Sequence, residues 1–461
     1  SAFMHVSGDE GGRYPLTGMG DVNTYALFSE SILQITSDTG RAGFIVPTGI
    51  ATDDSTKAFF GHISQNGRLV SLYDIENREA VFPSVHRSYK FCMMTLGQAE
   101  QAEFAFFLTQ VHQLADTRRR FTLTPEEFRL INPNTLTCPV FRSRKDAELT
   151  KKLYRAAPVL IDETSADGNP WDISFMAMMH MSNDSHLFHS KAGEGLVPLY
   201  EAKMIHQFDH RWATYDGDTS RDCTLDEKAD PNFTVTPRYW VSETEVNAIL
   251  SAKSWNRRWL IGWRGIARAT DERSVISSFF PLSAIGNSAH LLLFTNSIKA
   301  EKIACFLANS LALVFDFVAR QKIGGANFNF FIPKQLPFLA PHQYSKEDIS
   351  FILPRVVELV YTANDMEYLA NDLGYQNKPF DFNPERRAEL RAELDAYYAK
   401  LYGLTREEFR YILDPSDVMG DDYPSETFRV LKNKEMNEFG EYRTQRLVLE
   451  AWDKLEAGEL Y

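Results

Sequence analysis

The sequence predicts an α/β protein. An alternating helix–strand segment leads into a mixed α/β region and then a helical tail. Three observations carry this prediction. Residues 24–96 alternate between helical and strand periods. The stretch "SAHLLLFTNS" (288–297) reads as a strong strand, and "KAEKIACFLANSLALVFDFVARQ" after it reads as one long helix. From about residue 345 the chain is charged and helical, as in "NPERRAELRAELDAYYAKLYG".

Taken in order, Tyr25, Phe28, Ile32 and Ile35 fall at helical spacing and predict a helix from about 24 to 37. "TSDTGR" is its exit turn, Gly43–Val46 is a strand, and Pro47 ends it. "DDSTKAFFGHISQNG" has a polar start and a glycine stop, as a helix requires. "LVSLYDI" (69–75) and "YKFCMMTL" (89–96) are strands, joined by the loop "ENREAVFPSVHRS". This order is that of the later part of a Rossmann-like sheet. Such sheets open with a glycine-rich strand–turn–helix, and no G-x-G-x-x-G stands near the start.

Residues 97–190 mix short helices and loops. "TPEEFRLINPNT" reads as a capped helix and "SRKDAELTKKLYRAAP" as an amphipathic one. Several strand-like pieces follow from about residue 194. "KIGGANFNFFIPKQLPFLAP" reads as a glycine turn, an aromatic strand and a proline-rich exit.

The 44% apolar fraction and 33 Phe suffice for large cores, but no apolar run is long enough to span a membrane. Cys92, Cys138, Cys223 and Cys305 lie far apart without a CxxC pair, which disfavours a zinc site or a disulfide framework. A cytoplasmic location is expected. The net charge of −13 speaks against nucleic acid until its distribution is considered. Residues 345–461 hold 25 of the 62 acids and only 15 of the 49 bases. The stretch 251–273 carries six bases against two acids, interleaved with three tryptophans. That composition fits a local nucleic-acid surface.

The segment "NTYALFSESILQITSDTGRAGFIVPTGIATDDSTKAFFGHISQNGRLVSLYDIENREAVFPSVHRSYKFCMMTL" (23–96) resembles the later half of the catalytic domain of gamma-class adenine-N6 DNA methyltransferases. These are the TaqI-like enzymes and the large single-chain restriction-modification methylases. Downstream, "YEAKMIHQFDHRWATY", "KIGGANFNFFIPKQLPF" and "EFGEYRTQRLVLEAWDKL" resemble the specificity domain and tail of large phage-defence methylases of the DISARM and BREX types. The resemblance implies an S-adenosylmethionine cofactor, bound mainly by a preceding half, with double-stranded DNA and defence-system proteins as partners. It also implies that the Phe of "VFP", Phe82, stacks on a flipped adenine. The family's Asn/Asp-Pro-Pro-aromatic tetrapeptide is absent, so methyl transfer by this chain alone is not expected. The alternative is a non-catalytic recognition or assembly subunit that works with a separate methyltransferase or nuclease chain. A parallel sheet lacking its first strands would expose an apolar edge, so self-association through residues 1–100 is expected.

Guanine is read by Arg or Lys, and adenine by Asn or Gln. The candidates are Arg264, Arg268 and Arg273 in the basic stretch, and Lys203, His206 and Arg211 in "YEAKMIHQFDHR". Lys322, Asn327 and Asn329 flank the paired glycines. Each has a bland counterpart in a solvated or salt-bridged side chain, and half or more of DNA contacts go to phosphate. The same caution applies to Phe82, which as a loop residue is often only an apolar plug. "EAK" (201–203) with Asp184 upstream has the form of a metal nuclease site, but the triplet is common. His180, His186 and His189 lie in a polar loop with no marked fourth ligand, so no metal site is assigned. Arg118–Arg120 read as a solvated face or a phosphate contact. The expected organisation is a carboxyl-terminal methyltransferase part (1–100), a connector (101–190), a target-recognition domain (191–344) and a helical acidic tail (345–461).

Overall fold

A computed structural model describes residues 12–18, 22–323 and 327–460. The chain divides into two compact units. The first comprises Ser1–Arg155, Asp162–Ala166 and Met419–Ser425, and the second comprises Ala156–Ile161, Asp167–Val418 and Glu426–Tyr461.

In the first unit, α1 (Thr24–Ile35) leads to β1 (Ala42–Pro47), then α2 (Gly49–Thr52) and α3 (Lys57–Gln65). β2 (Leu69–Glu76), β3 (Lys90–Leu96), β4 (Ala102–Leu108) and β5 (Phe121–Leu123) follow, with α4 (Pro125–Ile131) and α5 (Arg144–Ala156) last. The helices and strands expected over 24–96 are present at nearly the expected bounds. The sheet order is β1-β3-β2-β4-β5. β3 runs against both β1 and β2, while β4 runs parallel to β2. β1, β2 and β4 therefore end on the same side of the sheet. Phe59, Phe60 and Ile63 of α3 are wholly buried, as are Leu72 and Ile75 of β2 and Phe104 of β4. α4 starts on a capping box in which Thr124 and Glu127 bond each other's backbone N–H, as "TPEE" predicts.

The sheet extends further than the sequence suggests. β4 and β5 lie in the region read as a connector, because "AEFAFFL" is buried along nearly its whole length and shows no strand alternation. β1 is the outer strand, with no described strand on its far side. Ile45 of β1 and Phe28 and Ile35 of α1 are all more than half exposed.

The second unit begins with β6 (Ile173–Met176), β7 (Leu196–Tyr200), β8 (Ala213–Asp216), β9 (Thr219–Asp222), α6 (Leu225–Ala229), β10 (Trp240–Ser242) and α7 (Glu243–Ala252). β11 (Trp259–Arg264), β12 (Ser277–Pro281), β13 (Ala284–Ile285) and β14 (Ala289–Phe294) complete its strands. They form a four-stranded sheet β12-β11-β14-β6, a three-stranded sheet β10-β7-β13 and the hairpin β8-β9. α8 (Ala300–Leu311), α9 (Leu313–Lys322) and α10 (Phe331–Lys334) come next. The helical tail holds α11 (Lys346–Val360), α12 (Glu367–Asp372), α13 (Pro384–Leu401), α14 (Arg406–Leu413), α15 (Pro415–Met419), α16 (Arg429–Phe439) and α17 (Arg443–Glu456). Most of this tail falls in the same compact unit as the strands before it.

Three sequence expectations are corrected here. The long helix over 299–321 is two helices, bent by 62° at Ala312. The Asp395 carboxylate of α13 accepts the N–H of Leu313 at 2.7 Å and caps the second helix. That cap comes from 82 residues away, so no local signal marks it. Residues 330–334 form a turn and short helix where an aromatic strand was expected, while Gly324 and Gly325 lie outside the described residues. The tryptophans of the basic stretch are core residues: Trp255, Trp259 and Trp263 are each at most 5% exposed, the last two because β11 is buried along nearly its whole length. No described helix is long and apolar enough to cross a membrane, and the apolar α8–α9 pair is buried.

Candidate nucleic-acid interface

In the first unit, three parallel strands deliver their carboxyl ends to one side. Ligands of α/β sheets bind outside that side. Thr48 follows β1 and donates to the Asp74 carboxylate of β2 at 2.6 Å. Burial raises the Asp74 carboxyl above its usual value, and the Thr48 hydroxyl and the Lys90 charge partly offset this. Phe107 of β4 sits at φ +60°, a strained conformation for a bulky residue, and its N–H points at Asp74 (3.4 Å). The Phe107 ring carries the Arg142 guanidinium at 4.3 Å and the Lys90 ammonium at 5.2 Å.

Asn77 ends β2 and is wholly buried. Its carboxamide donates to the carbonyls of Phe82 (3.0 Å) and Val85 (2.8 Å) and accepts the Phe82 N–H (2.9 Å). Arg87 donates back to the Arg78 carbonyl at 2.7 Å. The resulting loop projects Phe82 with 37% of its surface exposed, edge-to-face on Phe91 at 4.8 Å between centroids. Val85, Arg87, Tyr89 and Lys90 are exposed beside it. The sequence reading named Phe82 alone. The Asn just after the strand and the mixture of cations with aromatics over 78–90 were the sequence signals available for the rest.

In the second unit the nine recognition candidates separate into surface and interior. Arg211 is a correction: it is 0% exposed and cannot reach a ligand. Its guanidinium donates to the carbonyls of Asp230, Phe233, Lys228 and Thr362. Arg273 pairs with the buried Asp316 at 2.8 Å and donates to the Leu311 carbonyl. Arg264 is held on the Ile205 carbonyl. His206 packs on Trp212 at 4.3 Å, and burial with the facing charges of Arg264, Arg391 and Arg273 lowers its ring to about 3, so it is neutral at pH 7. These three side chains are engaged by the fold, where the sequence suggested free DNA contacts. Lys322 is half-buried.

The exposed candidates are Lys203, Arg268, Asn327 and Asn329. Two segments meet where Phe328 N–H donates to the Gly265 carbonyl at 2.8 Å and Ile266 bridges Asn327. Gly265 gives the close approach there, since a Cβ would lie a tight 3.0 Å from the His290 ring and 3.1 Å from the Ser288 carbonyl. Arg268, Asn327 and Asn329 are exposed near this pairing, as are Ile266 (60%) and Phe331 (59%). Ser288 links this surface to Lys203's turn, accepting from Gly265 N–H and Ala202 N–H. Lys203 lies over the Tyr215 ring at 4.6 Å and pairs loosely with Glu201. Arg320 fixes the loop that bears Arg268 by donating to the carbonyls of Ala269, Asp271 and Glu272.

The elements of the nuclease alternative are engaged locally. Asp184 accepts the His180 N–H, and Glu201 accepts the Tyr215 hydroxyl. Among the described residues no three His, Cys, Asp or Glu side chains group as a metal site.

No protein-family model matches the chain, and no curated protein matches it. Among solved structures, the type IIG restriction endonuclease BpuSI aligns over 78% of this chain and 49% of its own, at 14% identity and a TM-score of 0.29. The type IIL restriction-modification enzyme MmeI, solved with DNA, aligns over 84% of this chain and 50% of its own, at 9% identity and a TM-score of 0.40. The chain spans about half the length of both.

Proposed function

We propose that this chain supplies the base-holding loop and the DNA-reading surface of a site-specific adenine-N6 DNA methyltransferase in a restriction-modification or phage-defence system. The observation that carries the reading is the Phe82 loop at the carboxyl ends of the parallel strands, with its ring half-exposed and its backbone tied by Asn77. An extruded base has lost its stacking neighbours, and an aromatic face restores them. The adenine amino group is a weak nucleophile because its lone pair is delocalised into the ring. A carboxamide and a carbonyl must localise it, and the tetrapeptide that provides them in the resembled family is absent from this sequence.

On this reading the acceptors come from another segment or subunit, whose strands add to the free edge of β1. On this reading S-adenosylmethionine is bound mainly by those added strands. That cofactor, when bound by the added strands, supplies the methyl group. Arg268, Asn327, Asn329 and Lys203 read or anchor duplex DNA from the second unit.

The test uses the native assembly, captured from source cells with an antibody to this chain. It is incubated with methyl-labelled S-adenosylmethionine and unmethylated DNA, and nucleosides are analysed by mass spectrometry. N6-methyladenine is expected from the assembly and not from the isolated chain. Phe82→Ala in the assembly is expected to cut turnover about 10- to 100-fold, the value of one base–aromatic stack. An assembly that makes no N6-methyladenine overturns the proposal, and full turnover by the Phe82→Ala assembly removes Phe82 from it.

A further inference from the structure

We infer that Asn77 is the positioning residue of the interface: its buried carboxamide latches the loop that presents Phe82, flanked by Arg87 and Lys90, to an unstacked DNA base. The inference rests on the reading of Phe82 above. Asn77 is 0% exposed, and its three side-chain hydrogen bonds all end on the backbone of Phe82 and Val85. Both amide hydrogens and the carbonyl oxygen are used, so the group is fully satisfied within the loop.

Apart from the latch, the loop is held by short-range turns, Val85 N–H on the Phe82 carbonyl and Tyr89 N–H on the His86 carbonyl, both at 3.1 Å, and by ties at its base. Asn77 N–H meets the Tyr89 carbonyl at 2.9 Å at its base, and Arg87 reaches the Arg78 carbonyl. Residues 82–90 are otherwise exposed. A loop with so little packing is fixed in one shape only if its backbone is tied from below. The shape matters because a ring that must meet a base face loses stacking when it tilts. Ala80, held at φ +53° with its N–H on the Asn77 carbonyl, makes the same turn tighter. Arg78 pairs with Glu76 at 3.2 Å and Arg87 with the Arg78 carbonyl, and Lys90 stands exposed beside them, so cations flank the ring where phosphates would lie.

The experiment uses the full chain and a fluorescein-labelled duplex with one adenine opposite an abasic site, which lowers the cost of extrusion. The control duplex lacks that adenine. Binding is followed by anisotropy, and loop order by the rate of tryptic cleavage after Arg78 and Arg87. Phe82→Ala and Asn77→Ala are each expected to reduce the preference for the adenine duplex about 5- to 50-fold, and the double variant no further. Asn77→Ala is also expected to accelerate cleavage in the loop. Asn77→Gln keeps both donors and the acceptor on an arm one methylene longer, so it should fall between, and it serves if Asn77→Ala does not fold.

Asn77 variants that speed cleavage but keep the adenine preference overturn the inference alone. Additive losses in the double variant also overturn it, because Asn77 would then act elsewhere. A wild-type chain without adenine preference, or a Phe82→Ala chain that keeps it, overturns the stacking reading and the inference with it.

Discussion

Arg211 shows how a residue type can mislead at the residue scale. A guanidinium is a good DNA contact, and it is also the side chain best shaped to join several carbonyls at once. Here it binds four carbonyls and is wholly buried. Arg211→Ala leaves those acceptors unsatisfied, each at about 1–3 kcal/mol. A loss of at least about 3 kcal/mol is expected in urea unfolding, with any effect on DNA binding following from unfolding. Asp395 gives a second residue-scale prediction. Burial pushes its carboxyl up to about 6, against the pull of Arg273, the Leu313 N–H and Arg391. A carboxyl raised above its usual 3.8 favours the fold below pH 4, and that favour is lost as pH rises through 6. Asp395→Asn keeps the acceptor for Leu313 and removes the ionisation cost. Unfolding midpoints should coincide near pH 4, and the variant should be more stable at pH 8 by about 2–3 kcal/mol. Equal gaps at both pH values would refute this.

At the scale of elements, the loop bearing Arg268 is held by a residue that never faces the surface it serves. Arg320 of α9 pairs with Asp316 one turn back and binds the loop's carbonyls from inside. Arg320→Gln should loosen the loop and weaken duplex binding about tenfold, while Arg268→Ala should weaken it and lower the slope of log affinity against log salt by about one. An unchanged affinity in Arg320→Gln would show that the loop is not part of the interface. The capped helices α4 and α13 were legible because their caps are local: Thr124 with Glu127, and Asn383 before Pro384. The α8–α9 break was not legible, since its cap is Asp395.

At the scale of the whole molecule, the free edge of β1 is the feature with the largest consequence. An uncovered strand with exposed apolar neighbours is a template for pairing. Ile45, Phe28 and Ile35 are 54%, 68% and 81% exposed. At tens of micromolar the isolated chain should self-associate, and Ile45→Lys should return it to a monomer, as read by light scattering after gel filtration. A wild-type monomer at those concentrations would mean the edge is not adhesive. Part of the tail's acidity is taken up in surface pairs such as Arg406–Asp453 and Arg410–Asp417. Exposed pairs of this kind add little stability.

The sequence by itself determined the elements over residues 24–96, because periods and glycine stops act within a few residues. It also determined that Phe82 stands in a loop between two strands, and that the helical tail is helical. The tertiary structure decided which side chains are available. The arginines of the recognition region look alike in sequence, yet Arg268 is exposed, Arg264 and Arg273 are held on backbone oxygens, and Arg211 is buried. The carbonyls that engage them lie 17–151 residues away for Arg211 and 59 for Arg264. Local pattern carries no record of such partners. Burial is a property of how elements pack, and packing alone separated the cations that hold the fold from those left to meet a ligand.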